Sequence, residues 1–471
     1  MNDAPTHSTT PPPRHPSPLP GPRSYFPGQI GWAVRRDPLN FFVSVNRRYG
    51  NAAEFRVGKG RLFLFNEPEV TRDILVTQAD KFTKSPALGQ AKVMLGEGLL
   101  TSEGDFHKRQ RKLSQPAFHP GRVARYAEAI SRQARRTGDA WQDGGVVDLH
   151  AEMMRVTLRV VTETLFSSSV DAEVDAIGES MDVLIRMFRR SRNPLAPILN
   201  KLPLPSNYRF LRAREHVRRT VDRFVAENRA AGTDRGDLLS TLIRARDAGG
   251  DDAVVGTDAN AAGGMTDEQL RDEVVTLFAA GHETTANALT FTWWLLARHP
   301  QVADRLYAEV DAVLEGRDPT AEDQDRLPFC RAVVAESMRL YPPAWTVMRS
   351  AKVDVEVGPQ RYLIPARGIP VMCQWISHHD PRWWPNPDRF DPDRWLDRAQ
   401  VEARPRWAYF PFGGGPRNCI GEAFAWTEAV LILATLAQGW RMTDLTRGPL
   451  HLIPTITLRP RDPVMVRLAK R

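Results

Sequence analysis

The sequence predicts a mainly α protein carrying small β-sheets, and three observations predict it. From about Arg122 to Arg246 apolar residues recur at helical spacing, interrupted at Gly144-Gly145, Pro194–Pro205 and Gly232. Thr266-Asp-Glu-Gln269 has the form of a capping box and opens a further helical run that continues to about His299. Strand-like patterns are short and scattered: Glu54–Phe65, Ala344–Arg349, Ile369–Cys373 and Leu452–Leu458.

Composition narrows the class. Of the 471 residues, 42% are hydrophobic and 25% charged, as in globular proteins that live in water. The net charge of +8, from 64 basic and 56 acidic residues, is a modest excess. With no zinc finger, RNA-recognition aromatics or basic tail, nucleic acid is not an expected partner. Cys330, Cys373 and Cys419 make no disulfide framework and fit a reducing cytoplasm. Cys330 and Cys373 read as core packing. No apolar run approaches the ~20 residues of a membrane-spanning helix, and Met1–Arg14 has no apolar signal core. Residues 1–22 are expected to be a disordered Pro-rich segment, and 23–471 one folded domain.

In chain order, a short helix is expected at Leu39–Tyr49, then a hairpin turning at Gly58-Lys59-Gly60. Glu67–Thr77 reads as a helix with Val70, Ile74 and Leu75 inward. The loop from Thr83 to Leu100, with Pro86 and three glycines, is of the length that is functional or disordered. In the helix after Gly104, His107 and Arg111 are four apart and share a face, which suits a carboxylate ligand or, equally, a solvated basic face. Arg186, Arg189, Arg190, Arg192 and Lys201 read as a solvated cationic face, and Gly249–Gly264 as a mobile low-complexity stretch.

The run Ala279-Ala-Gly-His-Glu-Thr-Thr-Ala286 weakens its own helix. Gly281 costs about 1 kcal/mol relative to Ala, and Thr284 and Thr285 can turn their hydroxyls onto carbonyls four residues back. Such a helix has room for a small ligand and water, or is merely kinked. Pro328–Leu340 is a further helix, carrying Glu336 and Arg339 and ended by Tyr341-Pro-Pro. His378–Trp395 is a proline-punctuated meander.

The most telling stretch is Phe412-Gly-Gly-Gly-Pro-Arg-Asn-Cys-Ile-Gly421. Cys419 stands where a loop passes into a helix, and the helix N-terminus favours the metal-ligating thiolate. Gly413, Gly414, Gly415 and Gly421 let the backbone approach a large flat partner; Phe412 shields the sulfur and Arg417 supplies a fixed cation. A lone Cys is more often a buried small hydrophobe. A phosphate loop fits worse, because no Lys-Ser/Thr follows the glycines.

Phe412-x-x-Gly415-x-Arg417-x-Cys419-x-Gly421 resembles the haem-binding signature of the cytochrome P450 superfamily at all five of its fixed positions. The resemblance extends over about Tyr25–Arg471, and Pro18–Pro22 resembles the family's proline-rich entry segment. It implies that haem b lies between the long central helix and the Cys-bearing helix, with Cys419 ligating iron. His107-x-x-x-Arg111 and Arg349 then match haem propionate ligands. Ala280 and Gly281 line the oxygen groove, with Glu283-Thr284 as its acid–alcohol pair: Thr284 holds an ordered water and Glu283 relays protons. Glu336, Arg339 and Arg394 match a structural triad, with Asp393 and Trp395 departing from the family's Glu and Phe. The loop 83–100 roofs a pocket whose implied lining is Val93, Met94, Val275, Phe278, Ala279, Trp345, Val347 and Ile456.

The activity implied is a monooxygenase, inserting one atom of O2 into a C–H bond of a lipophilic terpenoid, fatty acyl or polyketide compound. No Gly-rich dinucleotide fingerprint is present. Electrons are therefore expected from a separate ferredoxin with its reductase, or a flavodoxin, docking on Lys108, Arg109, Lys112, Arg404 and Arg406 of a monomer. A haem-thiolate peroxygenase or isomerase, or a haem sensor without turnover, are the alternatives. The first of these tend to lose the acid–alcohol pair kept here.

Overall fold

The computed structural model describes residues 19–168, 173–191, 199–200, 202–231, 236–247 and 265–471. The expected disordered residues 1–18, Arg192, Lys201, the side chains of Arg189 and Arg190, and the stretch 249–264 lie outside the described residues. The chain divides into two compact units.

Of the described residues, the first unit takes 19–85, 346–380 and 405–418. Strands β1 (Ala52–Val57) and β2 (Gly60–Phe65) form the expected hairpin, with Gly58 in the left-handed region at φ 59°. β3 (Phe82–Lys84), β4 (Val347–Ala351) and β5 (Ile369–Met372) complete a sheet in the order β1-β2-β5-β4-β3, with only the β2–β5 pairing parallel. Phe63, Phe65 and Phe82 from the sheet meet Val70, Ile74 and Leu75 in one buried cluster. Those last three come from Pro68–Arg72, an α-helix that widens into a π turn over Asp73–Thr77. Asp73 sits at that turn: its carboxylate accepts from Thr77 Oγ1 at 2.6 Å and from the Gly358 N–H at 2.8 Å. A helix at Gln29–Arg36, absent from the sequence reading, precedes the expected one at Pro38–Tyr49. Pro20 already belongs to the fold, its carbonyl accepting from the Glu54 N–H at 2.9 Å.

The second unit takes residues 86–345, 381–404 and 419–471. Helices Pro120–Asp139, Leu149–Phe166, Val174–Ser191, Pro205–Ala231 and Leu238–Asp247 follow in order. The predicted break at Gly144-Gly145 separates the first two, the second ends at Phe166 where no break is predicted, and residues 194–198 and Gly232 of the other predicted breaks lie outside the described residues. At the centre lies the long helix, Asp267–Arg298, opened by the capping box: the Gln269 N–H donates to Thr266 Oγ1 and the Thr266 N–H to Gln269 Oε1, each at 3.1 Å. It packs along Leu149–Phe166 and against the cysteine helix, Glu422–Gly439. Leu289, Phe291 and Trp293 are fully buried on it, and each contributes on the order of 1.5–3 kcal/mol relative to exposure. The C-terminal segment adds the hairpin Leu452–Pro454 with Leu458–Pro460.

Candidate functional site

Of the three cysteines, Cys330 and Cys373 are buried and Cys419 is accessible. Burial pushes the Cys373 thiol up to about 12 and raises Cys330 as well, so both stay protonated core residues. Cys419 lies two residues before Gly421, the N-cap of the cysteine helix. Its thiol is enclosed by protein and is pushed up to about 11 by that burial. The Gly421 N–H and Arg111 pull it down, and Glu422 pushes it up. Metal coordination, rather than the helix N-terminus by itself, offsets that burial when the sulfur ligates as a thiolate. Arg111 stands close enough for mutual electrostatic influence with Cys419, and is itself lowered by burial. His107, one turn earlier on the Gly104–Ser114 helix, is buried.

The donor set fits haem. A single sulfur donor at the end of a glycine-lined loop, with Arg111 within electrostatic reach, suits a haem iron, whose ring supplies the remaining donors. In the first unit, Arg349 is buried with its guanidinium donating to the Met348 carbonyl at 3.1 Å, and Arg417 donates to the Phe82 carbonyl at 3.1 Å. Phe412 is half-buried. Two glycines of the loop, Gly414 and Gly415, have a packing reason of their own, while nothing lies within 4 Å of a Cβ at Gly413. A Cβ on Gly414 would stand 2.3 Å from Trp407, and one on Gly415, at φ 68°, would stand 1.8 Å from the Leu75 carbonyl oxygen. The protein's own packing excludes a side chain there.

The long helix stays helical through Gly281. A Cβ at Gly281 would stand 3.0 Å from Val161 Cγ2, so this glycine serves a close approach to the Leu149–Phe166 helix. Both threonines back-bond as expected, Thr284 Oγ1 to the Ala280 carbonyl at 2.8 Å and Thr285 Oγ1 to that of Gly281 at 3.3 Å. Between the buried runs Glu273–Phe278 and Thr285–Leu296, Ala280 is exposed and Ala279, Gly281 and Thr284 are half-buried, which marks an accessible notch. Glu283 points elsewhere. It is buried, accepts from Thr457 Oγ1 at 2.6 Å, and has Arg459 at 3.8 Å, which in turn pairs with Asp182. Burial raises its carboxyl; Thr457 and Arg459 oppose the rise. Thr457, Arg459 and Asp182 were missed by the sequence reading, although Arg459 is a cation inside an apolar strand, which was the available signal.

The expected triad is assembled. Glu336 binds Arg339 twice at 2.8 Å and Arg394 at 3.0 Å, with all three side chains buried. The two departures from the family pattern have work of their own: Trp395 Nε1–H donates to Glu336 Oε2 at 2.9 Å, and Asp393 pairs with Arg305 at 2.8 Å.

A small pocket of ≈ 30 Å³ opens among Val93, Met94, Leu184, Arg214, Val217 and Val275. Three of the expected lining residues (Val93, Met94, Val275) are thus together. Phe278 is fully buried in a cluster with Phe166 and Phe224. Trp345 is buried and anchors the C-terminal hairpin, its Nε1–H donating to the Thr455 carbonyl at 3.1 Å. Ile456, in the turn of that hairpin, is half-buried, and Val347 pairs with Met372 in the sheet of the first unit. Of the expected docking cations, Lys108, Lys112 and Arg406 are exposed. Arg109 donates to Gln269 at 3.1 Å, and Arg404 lies 3.8 Å over the Trp384 ring.

The fold is that of a cytochrome P450. A crystal structure of a cytochrome P450 (CYP102L1) matches with TM-score 0.82, covering 97% of this chain and 100% of that one at 24% identity. The chain itself belongs to the cytochrome P450 family, whose model matches residues 18–467. It is accordingly a haem b monooxygenase that uses O2, a redox partner and an organic substrate. It is 39% identical to the cyclooctat-9-en-7-ol 5-monooxygenase of Streptomyces melanosporofaciens, over 87% of this chain and 86% of that protein. Cyclooctatin synthase of the same organism is 39% identical over 89% and 92%. Pentalenene oxygenase of Streptomyces avermitilis is 35% identical over 88% of each chain. Among the described residues no helix is long and apolar enough to cross a membrane.

Proposed function

We propose that this protein hydroxylates a terpenoid, with Cys419 as the iron ligand. The observation that carries the assignment is that Cys419 alone of the three cysteines is accessible. The relatives named for cyclooctat-9-en-7-ol and pentalenene support the substrate class. When bound, haem would supply the iron at which O2 is activated, and the Cys419 thiolate would favour O–O cleavage. His107, Arg111 and Arg349 hold its propionates, and Phe412, Arg417 and Gly421 shape the sulfur's surroundings. Thr284, in the accessible notch with Ala280 and Gly281, orients a water with its hydroxyl, and Glu283 relays protons from the side of Thr457 and Arg459, where its carboxyl is held. Residues 23–471 act as one catalytic domain, a reading supported by the family match over 18–467.

Electrons come from a ferredoxin with its reductase or a flavodoxin, meeting the exposed Lys108, Lys112 and Arg406 of a cytoplasmic monomer. The test is the reduced carbon monoxide spectrum of the purified protein and of Cys419→Ser. The thiolate band is expected in the first and lost in the second; a band unchanged by the substitution rejects Cys419. Turnover of oxygenated diterpenes with a surrogate ferredoxin then tests the substrate class, and reductant use without any oxygenated product rejects it.

A further inference from the structure

We infer that helix Gln29–Arg36 and the turn before it form a membrane-surface contact, in which Tyr25, Phe26 and Trp32 enter the headgroup region of an anionic bilayer. The three aromatics are 93%, 60% and 60% exposed, more than any other large apolar side chain described in the first unit. Local hydrogen bonds hold them together. The Tyr25 N–H donates to Gln29 Oε1 at 2.8 Å and the Gln29 N–H to the Phe26 carbonyl at 3.3 Å, which folds the turn onto the helix. Trp32 stands one turn beyond Gln29 on the same face, whereas Ile30 is buried. An exposed apolar patch of this kind marks an interaction surface.

Charge decides the partner. Arg23, Arg35 and Arg36 are exposed and, among the described residues, pair with no carboxylate. The Arg36 guanidinium lies 5.2 Å from the centre of the Trp32 ring. The adjoining carboxylates are engaged: Asp37 accepts the Asn40 N–H at 3.0 Å, and Glu54 pairs with Arg61 at 2.7 Å. Aromatic rings flanked by uncompensated arginines suit the bilayer–water interface, where rings settle among headgroups and cations meet lipid phosphates. A protein partner fits less well. The exposed faces of the three rings come to on the order of 400 Å², about half of the ~800 Å² each partner gives to a stable interface. Residues 1–18 lack the groups to cover the patch: apart from six prolines their apolar side chains are Met1 and Ala4, and Asp3 is their one acid, against Arg14. A membrane contact keeps the enzyme beside the phase in which lipophilic compounds collect.

The experiment measures co-sedimentation of the full chain with phosphatidylglycerol–phosphatidylcholine vesicles and with pure phosphatidylcholine vesicles. Binding to the first is expected to be several-fold tighter than to the second, and to weaken as salt is raised. Tyr25→Ser/Phe26→Ser/Trp32→Ser is expected to weaken it about tenfold or more. Arg23→Gln/Arg35→Gln/Arg36→Gln is expected to remove the preference for anionic vesicles. Val353→Ser/Leu363→Ser, at exposed apolar positions elsewhere in the same unit, is expected to bind as the wild type does. Melting temperatures check that each variant is folded. No binding to either vesicle overturns the inference. So does binding that the aromatic variant retains or the control pair loses equally, or an anionic preference that the arginine variant keeps. Self-association without vesicles that the aromatic variant abolishes gives the patch to a second copy and overturns it as well. None of these readouts depends on turnover, so the outcome is separate from that of the monooxygenase reading.

Discussion

Glu428 is a fully buried carboxyl on the cysteine helix, with the Thr285 hydroxyl beside it. Burial raises it well above the usual 4.5, and the neighbouring Thr285 hydroxyl opposes this only in part. Because the folded-state pKa is the raised one, the fold retains a proton over a pH range in which the unfolded chain has released it. The stability this group contributes is complete below about pH 4.5 and is lost as pH rises through the folded value. Glu428→Gln, neutral at every pH, should therefore melt above the wild type at pH 8, with the gap closing toward pH 4.5. A gap that does not change with pH would show that the carboxyl does not titrate in this way. Thr284 is argued at the same scale. Thr284→Ala should keep haem and the carbon monoxide band but lower product per reductant consumed by about an order of magnitude or more. Full coupling in that variant would remove Thr284 from proton delivery.

Among elements, two buried arrangements carry the fold around the site. The Glu336 carboxylate receives five hydrogen bonds, from two arginines, Trp395 and the Asp391 backbone. Breaking such a pair from one side leaves buried cations uncompensated, so Glu336→Ala should cost about 3–5 kcal/mol in denaturant unfolding. Arg305→Ala, removing a half-exposed pair with Asp393, should cost about 0–1 kcal/mol. Equal costs would mean that burial does not set the difference. The loop before Cys419 is the second arrangement. Gly415→Ala sets a methyl 1.8 Å from the Leu75 carbonyl at a left-handed backbone angle, so yield of folded protein should collapse. Gly439→Ala, where nothing lies within 4 Å, is the matched control and should be tolerated.

At the scale of the whole molecule, electron delivery is where charge acts over distance. Lys108→Glu with Lys112→Glu should slow reduction by an acidic ferredoxin several-fold at low salt, with the difference shrinking as ionic strength rises. Reduction rates independent of both charge and salt would exclude this face as the docking surface. Lys108 already faces Asp105 at 2.8 Å, so part of its field is compensated locally and Lys112 should carry the larger share.

Much of this organisation was legible in the residues because it is local. The capping box at Thr266, the back-bonding of Thr284, the hairpin at Gly58 and the Glu-x-x-Arg spacing of Glu336 and Arg339 each depend on neighbours within about one helical turn. A local pattern constrains local geometry, and the Cys419 signature belongs with them. Tertiary structure alone decided the matters of burial and partnership. It turned Glu283 toward Thr457 and Arg459, set Gly281 against Val161, and gave Gly415 its clash with Leu75. Those outcomes depend on which surfaces meet across long stretches of chain, and on how much water each group loses when they do. Neither is encoded at any single position.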